Sequence, residues 1–118
     1  LQTTMNLLDT GIVIDIMENN NYAPAIISPI TLLEVLRGVE DKKRPIAKQL
    51  LEESFTILNL DNSIIEAYCK IYRKLKQEGN LLPDADLLFA ATAIAHDLTL
   101  ETKDAHFARL KSLGLKLA

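Results

Sequence analysis

Apolar positions along the chain alternate between short continuous runs and longer stretches spaced three and four apart, the pattern of strands alternating with helices. Residues 6–10 make a brief apolar strand closed by Asp9 and Thr10, either of which can cap the helix that follows. That helix carries Ile12, Ile16 and Met17 on one stripe, with Val13 beside them, and ends at Asn19–Asn21. Residues 24–28 form the next strand, and Ser28 before Pro29 is a strong helix start, a cap residue followed by proline at the first helical position. Leu32, Leu33, Val35 and Leu36 supply the core face of this helix and Gly38 its end, which leaves Glu34 inside an otherwise apolar pair of turns. A charged loop over 41–44 leads to a helix opened by Pro45 and carrying Ile46, Leu50 and Leu51. A third strand over 55–60 follows. Asp61 or Asn62 then caps a long amphipathic helix through Ile64, Ile65, Tyr68, Ile71, Tyr72 and Leu75, stopped at Gly79 and Asn80.

The stretch from Asp84 to Leu110 is the most informative. Leu87, Leu88, Ala91, Ile94 and Ala95 recur at helical spacing, and almost nothing after Asp86 is charged until Asp97, so this helix is buried on most faces. Residues 98–102 make a strand that ends next to Lys103 and Asp104. A short helical turn through Phe107 and Leu110, Gly114 and a last strand over 115–118 complete the chain. The alternation predicts a three-layer α/β/α fold around a central, mainly parallel sheet of four to five strands, whose functional sites collect at the carboxyl ends of the strands. Asp9 and Asp104 both lie at such ends.

Length and composition sharpen this reading. With 118 residues and 48% apolar content, the chain is expected to form a single domain over residues 5–118, large enough to bury a core without disulfides or a structural metal. Leu1–Thr4 precede a natural start at Met5 and are set aside as remnant residues. Cys69 is the only cysteine, which fits a reducing, cytoplasmic setting, and no apolar run is long enough to span a membrane. The net charge of −3 argues against a protein that holds nucleic acid mainly by a basic surface. Setting four acids aside as metal ligands takes that −3 to +1, so acidity of this size does not oppose a metal-dependent enzyme acting on a phosphate ester.

Four acids stand at strand ends or near helix starts: Asp9, Glu34, Asp86 and Asp104. Hard divalent cations such as Mg²⁺ or Mn²⁺ take oxygen ligands, and clustered carboxylates supply them. Singly, each acid has an ordinary explanation. Asp84 and Asp86 complement a helix N-terminus, Asp9 and Asp104 cap turns, and Glu34 pairs with Arg37 or Arg44. Together, the four favour a metal centre for phosphoryl transfer. His96 and His106 do not suggest zinc; His106, close to Asp104, is a candidate substrate contact. Tyr68 and Tyr72 read as core or dimer surface, and Arg37, Lys42, Lys43 and Arg44 as a solvated loop able to reach phosphates. Leu8-Asp9-Thr10-Gly11 matches the aspartic-protease triplet, but that fold is nearly all β and richer in turn glycines. A haloacid-dehalogenase-type phosphatase would need a second aspartate where Gly11 stands.

Residues 7–10, 28–38, 86–93 and 100–107 together resemble, in order, the four acidic motifs of PIN-domain ribonucleases, most closely the VapC-like toxins of toxin–antitoxin pairs. The resemblance implies an endoribonuclease that hydrolyses RNA with a metal-activated water, dependent on Mg²⁺ or Mn²⁺. It further implies a homodimer and a cognate antitoxin whose peptide occupies the cleft. By motif position it makes Asp9, Glu34, Asp86 and Asp104 the catalytic metal ligands and Thr102 a supporting hydroxyl, and leaves Asp84 as a cap. Relatives often continue past the last strand, so the C-terminal edge is short or partly missing here. The alternative is a PIN-like interaction module that binds a partner and cleaves nothing; an intact set of four acids argues against it.

Overall fold

The computed structural model describes residues 5–118, and the Leu1–Thr4 segment set aside above lies outside them. Five short strands, β1 (Leu7–Leu8), β2 (Ile26–Ile27), β3 (Thr56–Ile57), β4 (Thr99–Glu101) and β5 (Lys116–Leu117), form one sheet in the order β3-β2-β1-β4-β5. Every neighbouring pair is parallel, with Leu7 opposite both Ile26 and Leu100. The chain builds outward from β1 to β3, then returns to the other side of β1 for β4 and β5. The strand order therefore reverses between β1 and β4, where the carboxyl ends of an open parallel sheet leave a crevice.

Successive side chains of a strand point to opposite faces, and the two residues of β1 divide the core accordingly. Leu7 lies in one apolar cluster with Ile64, Ile71, Leu87, Phe89, Leu100, Phe107 and Leu110. Leu8 lies in another with Val13, Ile27, Leu36, Leu51 and Phe55. The first cluster takes α4 (Asn62–Gln77), α5 (Asp84–Ala95) and a 3₁₀ helix (Ala105–Leu113). The second takes α1 (Thr10–Asn19), α2 (Pro29–Leu36) and α3 (Arg44–Ser54). These are the three layers read from the sequence.

Local signals act as expected at several boundaries. The Ser28 hydroxyl accepts from the Ile30 N–H at 3.1 Å, and the Asp61 carboxylate accepts from the Ile64 N–H at 2.9 Å, each satisfying a helix-terminal donor. Helix α5 buries Leu87, Phe89, Ala90, Ala91, Thr92 and Ala93, as a helix apolar all round must. Its Thr92 hydroxyl donates to the Leu88 carbonyl at 2.7 Å, so burying it leaves no donor unpaired.

Other expectations need correction. The core face of α2 is turned relative to the reading above: Leu33 is 66% exposed, and Thr31, fully buried, takes the inward position beside Leu36. Ile46 and Leu50 of α3 are 73% and 42% exposed, so the amphipathic stripe of α3 reaches the core mainly through Leu51. The closing helical turn is a longer 3₁₀ helix that ends at Gly114, whose φ of 102° a residue with a Cβ rarely adopts.

Candidate active site

Each of the four acids is delivered by a different element. Asp9 follows β1 at the N-cap of α1 but makes no side-chain cap bond. Its backbone N–H donates to the Glu101 carbonyl at 3.0 Å, tying the end of β1 to the end of β4. Its Oδ2 accepts the Thr102 hydroxyl at 2.6 Å, and Thr102 Oγ1 in turn accepts the Asp104 N–H at 3.0 Å. One threonine beyond β4 thus orients two acids across the topological switch.

Asp104 caps the 3₁₀ helix, its Oδ1 accepting the His106 N–H at 2.9 Å and lying 2.8 Å from His106 Nδ1. Glu34, half-buried on α2, accepts the Thr10 hydroxyl at 2.6 Å on Oε1. Thr10 Oγ1 is also 3.1 Å from Thr31 Oγ1, and because the one Thr10 proton is committed to Glu34, Thr31 is the donor of that second bond. Glu34 does not pair with Arg37 or Arg44.

Asp86 stands in the first turn of α5, where the helix dipole favours a negative charge. Its carboxyl is nevertheless pushed above the ordinary range, first by burial, then by the charges of Asp104, Asp9 and Glu34, with His106 opposing weakly. The other three acids thus lie near enough for their charges to act on Asp86. Among the described residues, no group of three or more His, Cys, Asp or Glu side chains is close enough to enclose an ion. An all-oxygen set of this kind fits an ion that keeps several waters and takes only one or two carboxylates directly, as Mg²⁺ does.

Several residues singled out in the sequence fall elsewhere. Asp84 is not a cap: Pro83 holds that position, and Asp84 Oδ1 accepts the Tyr68 hydroxyl at 2.7 Å, which pushes the phenol up to about 12. Tyr68 and Tyr72 stack with centroids 6.1 Å apart and are half-buried against the core. His96 is 2.7 Å from Asp61 and links the start of α4 to the end of α5. Arg44 bonds Asp41 at 2.6 Å and the Leu36 and Val39 carbonyls, closing the α2–α3 turn rather than reaching for phosphate. Thr10 and Thr31 were missed as site residues, although a hydroxyl directly after Asp9 was a usable signal.

Thr102→Val should cost about 10- to 100-fold in metal affinity or activity, because it frees the Asp9 carboxylate and orphans the Asp104 N–H. Thr102→Ser should keep most of both. Mg²⁺ titrations of the two variants, read by thermal melting, check this, and equal losses would mean that the hydroxyl does not matter.

The PIN domain family profile matches residues 7–113. Ribonuclease VapC1 of Methanocaldococcus jannaschii is 40% identical over 115 residues, covering 94% of this chain and 85% of its own. Ribonuclease VapC1 of Rickettsia felis is 33% identical, covering 91% of each chain. Among solved structures, VapBC-1 from nontypeable Haemophilus influenzae superposes with a TM-score of 0.81 at 25% identity, covering 98% of this chain and 97% of its own. VapBC2 from Rickettsia felis, bound to a promoter DNA fragment, superposes with a TM-score of 0.77 at 25% identity over 98% of each chain.

Proposed function

The chain belongs to the PIN-domain family, and from that premise we propose that it is a VapC-type endoribonuclease, the toxin of a toxin–antitoxin pair, using Mg²⁺ or Mn²⁺. The observation that carries this reading is geometric: Asp9 and Asp104 stand just past the ends of β1 and β4, where the strand order reverses, and Thr102 ties the two together. When bound, a divalent ion neutralises charge on phosphate oxygens and makes water a better nucleophile.

The protein's own part is to hold and orient. Asp9 and Asp86 would hold the ion, while Glu34 and Asp104 complete or orient its surroundings. Thr102 fixes Asp9 and Asp104 relative to each other, and the Thr31–Thr10 pair fixes Glu34. The Thr10 and Thr102 hydroxyls donate to Glu34 and Asp9 and so hold those carboxylates in place. The attacking group in this reading is water, in line with the departing 3′-oxygen, and the products carry 5′-phosphate and 3′-hydroxyl ends.

The test is RNA cleavage in Mg²⁺, in Mn²⁺ and in EDTA, with end-group analysis. Cleavage should require the metal. Persistence in EDTA, or 2′,3′-cyclic phosphate ends, would mean attack by the ribose hydroxyl and overturn the assignment.

The partners are RNA, a cognate antitoxin and a second copy of the chain. Exposed Leu33, Ile46, Leu50, Leu60, Ile65 and Leu81 offer apolar surface for the two protein partners. Light scattering should give twice the chain mass; a monomer at high concentration would remove the homodimer. We place the protein in a reducing, cytoplasmic setting, which the free thiol of Cys69 supports.

A further inference from the structure

Four carboxylates repel an RNA strand as readily as they attract a cation, and the chain as a whole is acidic. A nuclease built this way needs polar groups beside the cleft to hold the backbone on either side of the bond being cut. The 3₁₀ helix over Ala105–Leu113 is capped by Asp104, so its first residues follow directly on one of the four acids. In such a helix residues three apart eclipse one another, so its side chains form straight rows. One row, Phe107, Leu110 and Leu113, packs into the core. A second begins with His106 and Arg109, both exposed.

The row is held from both sides. Asp104 Oδ1 engages His106 Nδ1 at 2.8 Å, leaving Nε2 as the free ring nitrogen of a side chain that is 70% exposed. Arg109 gives one guanidinium N–H to Asn80 Oδ1, at the loop between α4 and α5, which fixes the planar group while its other donors remain available. Three residues of 3₁₀ rise separate the two side chains by about 6 Å along the helix, a step short enough for neighbouring nucleotides of one strand to meet both.

We propose that His106 and Arg109 form a backbone-holding edge for single-stranded RNA beside the four carboxylates, Arg109 gripping a phosphate and His106, whose Nδ1–H is given to Asp104, accepting an adjoining ribose 2′-hydroxyl on Nε2. This assignment rests on the nuclease reading above and adds to it the path of the substrate.

The test uses Asp9→Asn protein in EDTA, so that nothing is cut, and a fluorescent single-stranded RNA oligonucleotide titrated at several salt concentrations. Arg109→Ala should weaken binding about tenfold, the worth of one charge-assisted hydrogen bond. It should also make the slope of log affinity against log salt shallower by about 0.7, as expected when one fewer phosphate of a single strand is neutralised. Arg109→Lys should keep the slope. His106→Ala should weaken binding and leave the slope unchanged, because its bond to RNA is not an ion pair. Asn80→Ala removes the same hydrogen bond as Arg109→Ala but keeps the charge, so it should retain the slope. An unchanged slope in Arg109→Ala, or an equal loss in Asn80→Ala, overturns the proposal. Metal-dependent cleavage by the unmodified protein is measured alongside. If cleavage is present and the slope does not move, this inference alone fails; if cleavage is absent, the nuclease reading fails and takes the inference with it.

Discussion

Asp86→Asn is expected to lower Mg²⁺-dependent RNA cleavage by about a thousandfold or more and, in EDTA, to raise the melting temperature. The first effect follows from losing an anionic ligand at a centre whose charge stabilisation contributes several kcal/mol to the barrier, each 1.36 kcal/mol being about a factor of ten in rate. The second follows from the raised Asp86 carboxyl. A carboxyl that holds its proton more tightly in the fold than in the open chain makes the native state the more protonated one between the two pKa values. Stability therefore falls as pH climbs from the ordinary aspartate range through the raised folded value, and the penalty stays in place at neutral pH. The amide cannot ionise, so it removes both the penalty and that part of the pH dependence. Thermal melts of the two proteins in EDTA, at mildly acidic and at neutral pH, check the claim. A stability gap that does not widen with pH would mean that neither burial nor the neighbouring carboxylates raise Asp86 in the fold. Metal should reverse the order, stabilising the unmodified protein by mass action and the variant much less.

The parts of the fold legible in the sequence were those set by local physics. A serine before Pro29, an aspartate three residues before Ile64, and a helix nearly free of charge after Asp86 each state their own outcome. The parallel sheet followed from alternation, and the position of Asp9 and Asp104 at strand ends followed from the sheet. What stayed hidden depended on partners distant in sequence. Asp84 read as a cap because its neighbours suited one, yet the Tyr68 hydroxyl, sixteen residues back, claims its carboxylate. Leu33 is exposed and Thr31 buried because Thr31 faces Thr10 across the α1–α2 contact, a pairing that the spacing of apolar residues in α2 does not announce. Arg44 looked free for phosphate because the Leu36 and Val39 carbonyls it satisfies become open acceptors only once α2 has ended. At the candidate site the four acids stood out in the sequence, whereas the hydroxyls that bind them did so only in part. Thr102 came from family resemblance, and the Thr31–Thr10–Glu34 chain emerged only from the fold.

Phe89→Ala should have the largest effect on stability, about 3–5 kcal/mol, since it removes a 1%-exposed ring from α5 and the surrounding core can collapse only partly. Against the roughly 5–15 kcal/mol that holds a domain together, that loss is a large share. The urea midpoint should drop markedly with its slope unchanged, because the native and open chains still differ by nearly the same surface. Phe89→Leu should cost less, as it keeps most of the volume. The consequence for the site follows from helical spacing. Phe89 lies three residues after Asp86, hence on the same side of the helix one turn along, so the ring that seats α5 in the core also holds the end of α5 that carries Asp86. Loosening it should weaken Mg²⁺ binding measured well below the unfolding transition, whereas Asp86→Asn weakens Mg²⁺ binding while stabilising the metal-free fold. If Phe89→Ala lowered stability by the expected amount and left the Mg²⁺ midpoint of cleavage untouched, α5 would not be what positions Asp86. The carboxylate would then have to be held from the sheet side, by the ends of β1 and β4.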